Sequence, residues 1–177
     1  MYVGSVLDTP LRQGEIISNV VQFVYDPVAK SVTGRRQPFC LVATQECDLL
    51  RDWEDRAEGR DSTINSILLF PANTADERQI VVGNSGLWRA AKSNSNERFH
   101  VVEACPADVD TAGQGLPALI FDFRRYFSAT PVQLYHQLDN ADAARRCLLV
   151  APYRDHFQQR ACSYLGRVSL DSPHAVD

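Results

Sequence analysis

A mainly β domain, a partly closed antiparallel barrel with helices packed on it late in the chain, is the fold class these 177 residues predict. Three observations carry it. The apolar run Phe39-Cys40-Leu41-Val42-Ala43 stops at the polar segment Thr44-Gln45-Glu46-Cys47-Asp48, and a second run, Ile67-Leu68-Leu69-Phe70, stops at Pro71-Ala72-Asn73-Thr74. The first 125 residues offer no convincing crossover helix, which disfavours a parallel doubly wound sheet. Helical periodicity becomes clear only after Thr130.

Taken in order, residues 11–25 are rich in β-branched side chains and read as one bent strand or two short ones. Asp26-Pro27 and Gly34 bracket a connection, and the basic segment Gly34-Arg35-Arg36-Gln37-Pro38 reads as a turn into a strand over 38–44. Residues 51–63 carry eight charges and read as a solvated loop or short surface helix. Strands follow at Ile64–Phe70, at Gln79–Val82 and at Arg98–Val102, with polar turns at Gly83–Gly86 and Ser93–Asn96. A loop over 105–117 leads to Leu119–Phe123, read as the last strand of the sheet. Thr130-Pro131-Val132-Gln133 is a helix start, with Thr130 as cap, Pro131 in the first turn and Gln133 reaching back. Cys147–Val150 reads as an edge strand or buried connection. A last helix begins near Pro152, with Tyr153, Phe157, Ala161 and Tyr164 as its apolar stripe. The predicted core is Ile16, Val42, Leu68, Val101 and Ile120.

Composition narrows the function classes. The apolar fraction of 45% fits a globular chain, and the net charge of −4 gives no general attraction to nucleic acid. Only a local basic patch reverses that, and arginine dominates the cations, since Lys30 and Lys92 are the two lysines. Five cysteines without a C-x-x-C pair argue against a zinc site or a disulfide framework. Neither a metal nor another cofactor is expected. No secretion signal and no membrane-spanning stretch is read, so the expected compartment is the cytoplasm.

Gln13-Gly14-Glu15-Ile16, then Gly34-Arg35-Arg36-Gln37-Pro38 opening Leu41-Val42-Ala43-Thr44, then Phe70-Pro71-Ala72-Asn73-Thr74, and finally Phe121-Asp122-Phe123-Arg124-Arg125 before a helix, follow one another in an informative order. That order resembles the PemK/MazF family of small SH3-like barrels over residues 11–140, with insertions at 51–63 and 104–117 and a helical extension over 141–177. The resemblance implies a single SH3-like domain related to toxins of toxin–antitoxin pairs, which cut single-stranded RNA without a metal. It places the family's basic-turn arginine on Arg36 or Arg35 and its strand-end hydroxyl on Thr74. A positioned arginine can stabilise a phosphorane, and a threonine can donate to a phosphate oxygen. Gln37, inserted between arginine and proline, departs from the family pattern.

Other residues leave further readings open. Arg124 and Arg125 are expected to join Arg35 and Arg36 in one basic patch. Gln45 and Asp48 at a strand end form a binding rim, with Cys47 as a nucleophile served by His100; the alternative makes Cys47 a small buried residue and Asp48 the cap of a short helix at Leu49–Trp53. Three functions follow: a divergent barrel that binds a protein partner, an antitoxin or RNA in a bacterial or phage conflict system; an active metal-independent endoribonuclease; and a cysteine hydrolase. A homo-oligomer is compatible with each.

Overall fold

The computed structural model describes residues 1–76 and 85–167. Eight strands form one antiparallel sheet: β1 (Tyr2–Gly4), β2 (Glu15–Asp26), β3 (Ser31–Val42), β4 (Ile67–Thr74), β5 (Phe99–Val102), β6 (Leu119–Asp122), β7 (Phe127–Ala129) and β8 (Ala144–Leu149). The order is β1-β8-β2-β3-β4-β6-β5, with β7 paired to β4 below β6. The helices are α1 (Glu46–Ala57), α2 (Ser85–Lys92), α3 (Pro131–Asp139) and α4 (Tyr153–Leu165).

Strand alternation gives the sheet two apolar faces, and helices cover both. Ile16, Leu41, Phe70, Ala72 and Phe121 point to one face, where Phe157 and Ala161 of α4 pack on them. Ile17, Cys40, Val42, Ile67 and Leu69 point to the other, beneath Leu49 of α1 and Leu134 and Tyr135 of α3. α2 lies at the β5 side, with Ala91 packed against Phe99 and Ile120. Ile16, Val42 and Ile120 of the predicted core are buried, whereas Leu68 and Val101 are half-buried.

The sheet is open. Among the described residues no strand pairing joins β5 to β1, although the Tyr2 hydroxyl donates to the Glu103 carbonyl at 2.7 Å across that gap. Within β2, Asn19 adopts a positive φ of 63° and the β2–β8 register shifts between Ile16 and Ile17, so the bent strand is one element.

Several expectations are corrected. Gly34–Pro38 is not a turn: it lies inside β3, paired with β2 from Arg36–Val21 to Gly34–Phe23. The turn is at residues 27–30, where the Asp26 carboxylate accepts from the amides of Val28 and Ala29. Helices are not confined to the end of the chain. α1 begins after Gln45, not at an Asp48 cap, and within its charged sequence Asp52 and Asp55 are buried. Ser62 donates to Asp52, and Arg60 Nε donates to Asp55 at 2.8 Å. Gly86 belongs to α2, and the strand expected at Gln79–Val82 lies outside the described residues. The strand read at Leu119–Phe123 is not the last of the sheet: the run read at Cys147–Val150 as an edge strand or buried connection is part of β8, which inserts between β1 and β2 rather than lying at an edge. The Thr130 helix start agrees in detail, with reciprocal bonds between Thr130 and Gln133.

Candidate binding surfaces

The β2–β3 pair outruns its neighbours. β8 pairs with β2 only as far as Ser18, and β4 pairs with β3 only from Phe39 onward. Residues 19–37 therefore form a two-stranded arm, roughly 25 Å long at the usual rise per strand residue. The cross-strand register sets Val21, Phe23 and Tyr25 on one face with Val32, Gly34 and Arg36, and Gln22 and Val24 on the other with Thr33 and Arg35. Two contacts within the arm agree: Gln37 Nε2 donates to Gln22 Oε1 at 2.8 Å, and a Cβ added at Gly34 would sit 2.9 Å from Val21 Cγ1. Phe23, Tyr25 and Val32 are 54%, 60% and 64% exposed. Gln137 of α3 anchors the arm's base, accepting from the Val21 amide at 2.7 Å and donating to its carbonyl at 3.2 Å. That side chain satisfies the β2 edge where β8 stops.

Arg35 and Arg36 are exposed on this arm, and Arg36 NH1 donates to the Asp142 carbonyl at 3.2 Å. Thr74, half-buried, is at the same end of the sheet, two residues past the Ala72–Phe39 pair. Arg124 and Arg125 are elsewhere. β3 and β6 run in the same direction, and Phe39, Ala72 and Phe121 share one row, so Arg36 and Arg124 lie three residues to either side of it. That is about 20 Å along the strands. The four arginines do not assemble into one patch, because Arg35 and Arg36 lie in the arm half of β3 whereas Arg124 and Arg125 follow the far end of β6. Arg124 Nε instead lies 3.7 Å from Asp122, which Arg98 Nε also holds at 2.8 Å.

Gln45, Cys47 and Asp48 are exposed at the start of α1, at the end of β3 away from the arm. The Cys47 sulfur lies 3.8 Å from both Gln45 Oε1 and Asp48 Oδ1, two oxygen acceptors, with no cation among its hydrogen-bond partners in the described residues. His100 does not serve it. Its ring is buried on β5 against Phe157 and His156, at centroid distances of 5.1 and 5.5 Å. The expected burial of Cys47 is also overturned, whereas Cys40, Cys105 and Cys147 are buried. Burial pushes all three thiols up. Alkylation by iodoacetamide under native conditions is expected to label Cys47 and Cys162 and spare the other three until denaturant is added. Early labelling of Cys40 or Cys147, read by peptide mass spectrometry, contradicts the packing.

Two further hollows lie among the described residues. A cleft of about 370 Å³ lies between the N-terminal segment and α1, walled by Val3, Val6, Leu50 and Leu148. The buried pair Glu15–Arg145 forms part of its lining. A polar groove of about 460 Å³ runs along α4 past His156, Arg160 and Tyr164. Arg160 is committed there to the backbone, donating to the carbonyls of Asn96 at 2.6 Å and Phe99 at 2.8 Å. Neither ionic pair nor groove was visible in the sequence. The one signal was arginine beside an apolar strand, Ala144-Arg145-Arg146-Cys147, where a buried cation demands a partner.

His100 has a lowered pKa of about 3, caused first by burial and then by the neighbouring Arg160 and His156 charges. The folded protein therefore keeps this ring neutral while the unfolded chain protonates it from pH ~6.5 downward. Stability is expected to fall as pH drops from about 6.5 towards 3, because the unfolded state binds the extra proton. In His100→Phe, urea titrations between pH 7 and 5 are expected to show a flatter pH slope. An unchanged slope assigns that acid sensitivity elsewhere.

Compared with known proteins, the chain significantly matches no family model, no curated protein and no solved structure. Among the described residues no helix is long and apolar enough to cross a membrane, and no group of three or more His, Cys, Asp or Glu side chains is arranged to hold a metal ion.

Proposed function

We propose that this chain is a binding module that docks a protein partner through its β2–β3 arm, built on a divergent PemK/MazF-like, SH3-like barrel scaffold and serving a bacterial or phage conflict system, where an antitoxin is one partner of that kind. The arm's exposed apolar face carries the reading. Phe23, Tyr25 and Val32 stand side by side on the ribbon beyond its buried base at Val20 and Gln37, and a contiguous exposed apolar face of this kind favours docking. The scaffold and the conflict-system setting rest on the order of sequence motifs alone.

Binding of single-stranded RNA is the second reading. Lys30, Arg35 and Arg36 concentrate positive charge on the arm of an acidic chain, and the two aromatic rings offer stacking surfaces. Cleavage has less support, since Arg36 is turned onto the Asp142 carbonyl. The rim at Gln45 and Asp48, and the exposed pair Arg124–Arg125, are secondary contact candidates.

The double variant Phe23→Asp/Tyr25→Asp is expected to melt within a few degrees of the wild type, because exposed side chains contribute little to stability. It is expected to lose a partner that the wild type binds when both are purified and recombined. Equal binding by the variant removes the arm from the interface. Fluorescence anisotropy with a mixed-sequence single-stranded RNA separates the second reading: there, Arg35→Glu/Arg36→Glu abolishes a salt-sensitive signal.

A further inference from the structure

The cleft between the N-terminal segment and α1 lies away from the arm, since α1 begins at the other end of β3. We infer that this cleft binds a small molecule with an apolar body and one uncharged hydrogen-bond acceptor, of the kind a carboxamide provides. Its walls come from distant parts of the chain: Val3 in β1 and Val6 just past it, Leu50 on α1 and Leu148 on β8. Val3, Val6 and Leu50 are exposed large apolar side chains, so the cleft presents apolar surface to solvent. At about 370 Å³ it lies near the lower end of the range for small-molecule sites, roughly 300–1,000 Å³. A helix, about 10 Å across, is too wide for it.

Electrostatics selects the head group. The charged side chains of the lining pair with one another, Glu15 with Arg145 and Glu46 with Arg12, so the lining is neutral as a whole. A carboxylate would arrive beside Glu15 and Glu46 with no unmatched cation, and an ammonium beside Arg12 and Arg145 with no unmatched anion. The two pairs are not equally spent. Arg145 donates to Glu15, Thr9 and Pro10, and both Glu15 oxygens accept from it. One Glu46 oxygen accepts from Arg12 Nε, and the other accepts from the Gln13 amide at 2.9 Å. Arg12 therefore commits Nε alone, and its two terminal nitrogens have no hydrogen-bond partner among the described residues. Those nitrogens form a planar fork of donors, which matches a carbonyl oxygen. The apolar body then covers Val3, Val6 and Leu50.

Titration of the isotope-labelled full chain with octanamide, octanoate and octylamine, followed by amide NMR shifts, tests this, because the three share one chain length and differ in head-group charge. Octanamide is expected to shift the amides of Val3, Val6, Leu50 and Leu148 saturably. Octanoate and octylamine are expected to bind at least about tenfold more weakly. Leu50→Asp is expected to abolish the shifts while melting within a few degrees of the wild type, because Leu50 is an exposed side chain. Arg12→Met keeps an apolar stem but removes the donors and leaves Glu46 without its cation. It is expected to weaken octanamide by about tenfold and to make octylamine the preferred ligand. A merely structural role for Arg12 would not exchange that preference. Shifts that fail to saturate, or that centre on Phe23 and Tyr25 of the arm, overturn the inference. So does octanoate binding as tightly as octanamide, or octanamide binding that survives Leu50→Asp.

Discussion

Arg145→Ala is expected to cost roughly 3–5 kcal/mol of folding stability, the usual loss when one member of a buried ion pair is removed. For a chain of this length that lowers the melting temperature by on the order of 10 °C. Glu15 is fully buried and the Arg145 side chain is 7% exposed. Arg145 Nε and NH2 reach the two Glu15 oxygens at 2.6 and 2.9 Å. The same guanidinium donates to the carbonyls of Thr9 at 2.7 Å and Pro10 at 3.1 Å, tying the N-terminal segment to β8. Truncation leaves a carboxylate in low dielectric, with the Arg12 amide at 3.0 Å as its remaining hydrogen bond among the described residues, and frees the segment that walls the cleft. Arg145→Lys is expected to recover little, because one ammonium cannot reproduce the forked contact. Glu15→Leu/Arg145→Met is expected to be more stable than Arg145→Ala, since it removes both charges together. Urea unfolding of the three variants checks the order, and a loss below about 1 kcal/mol for Arg145→Ala contradicts the pair's burial.

Phe157→Ala is the second large effect, again roughly 3–5 kcal/mol for a buried aromatic cut to a methyl group. Its ring stands edge-on to Phe70, Phe121 and Phe123, with centroids 5.6, 5.1 and 5.4 Å away, and to His100 at 5.1 Å. It joins α4 to β4, β5 and β6 at one point, so its loss is expected to loosen the helix and raise amide exchange along it. Tyr153, from the same sequence stripe, is 41% exposed. Tyr153→Ala is expected to change stability by no more than about 0.5 kcal/mol. Comparable losses from the two variants would show that α4 packs through a different face.

The contrast between these two residues shows where sequence reading reaches its limit. Period-3.6 spacing put Tyr153, Phe157, Ala161 and Tyr164 on one stripe, yet packing buries only Phe157 and Ala161. Spacing sets the direction of a side chain from its own helix and says nothing of how much surface lies opposite. The charged stretch over 51–63, read as a solvated loop or short surface helix, is in part an exposed helix, but that reading missed which charges turn inward. Eight charges read as solvated, but Asp52 and Asp55 turn inward because Ser62 and Arg60, from the following loop, supply their hydrogen bonds. A partner several residues away is invisible to composition.

The candidate sites divide the same way. Arg35, Arg36 and Thr74 were legible as polar groups beside strands, and the structure leaves them at one end of the sheet. Arg124 and Arg125 look equivalent in sequence, but register separates them from the first pair. Local sequence by itself determined the elements whose cause is local: the β-branched run of β2, the apolar run of β4, the Thr130–Gln133 capping box and the polar turn at Ser93–Asn96. Tertiary structure alone decided that β8 inserts between β1 and β2, that Arg145 and Arg146 are buried on Glu15 and Asp110, and that β2 and β3 continue past their neighbours as a free arm. Each of these depends on which distant strand pairs beside which, and hydrogen bonds between residues more than a hundred positions apart leave no periodic trace along the chain.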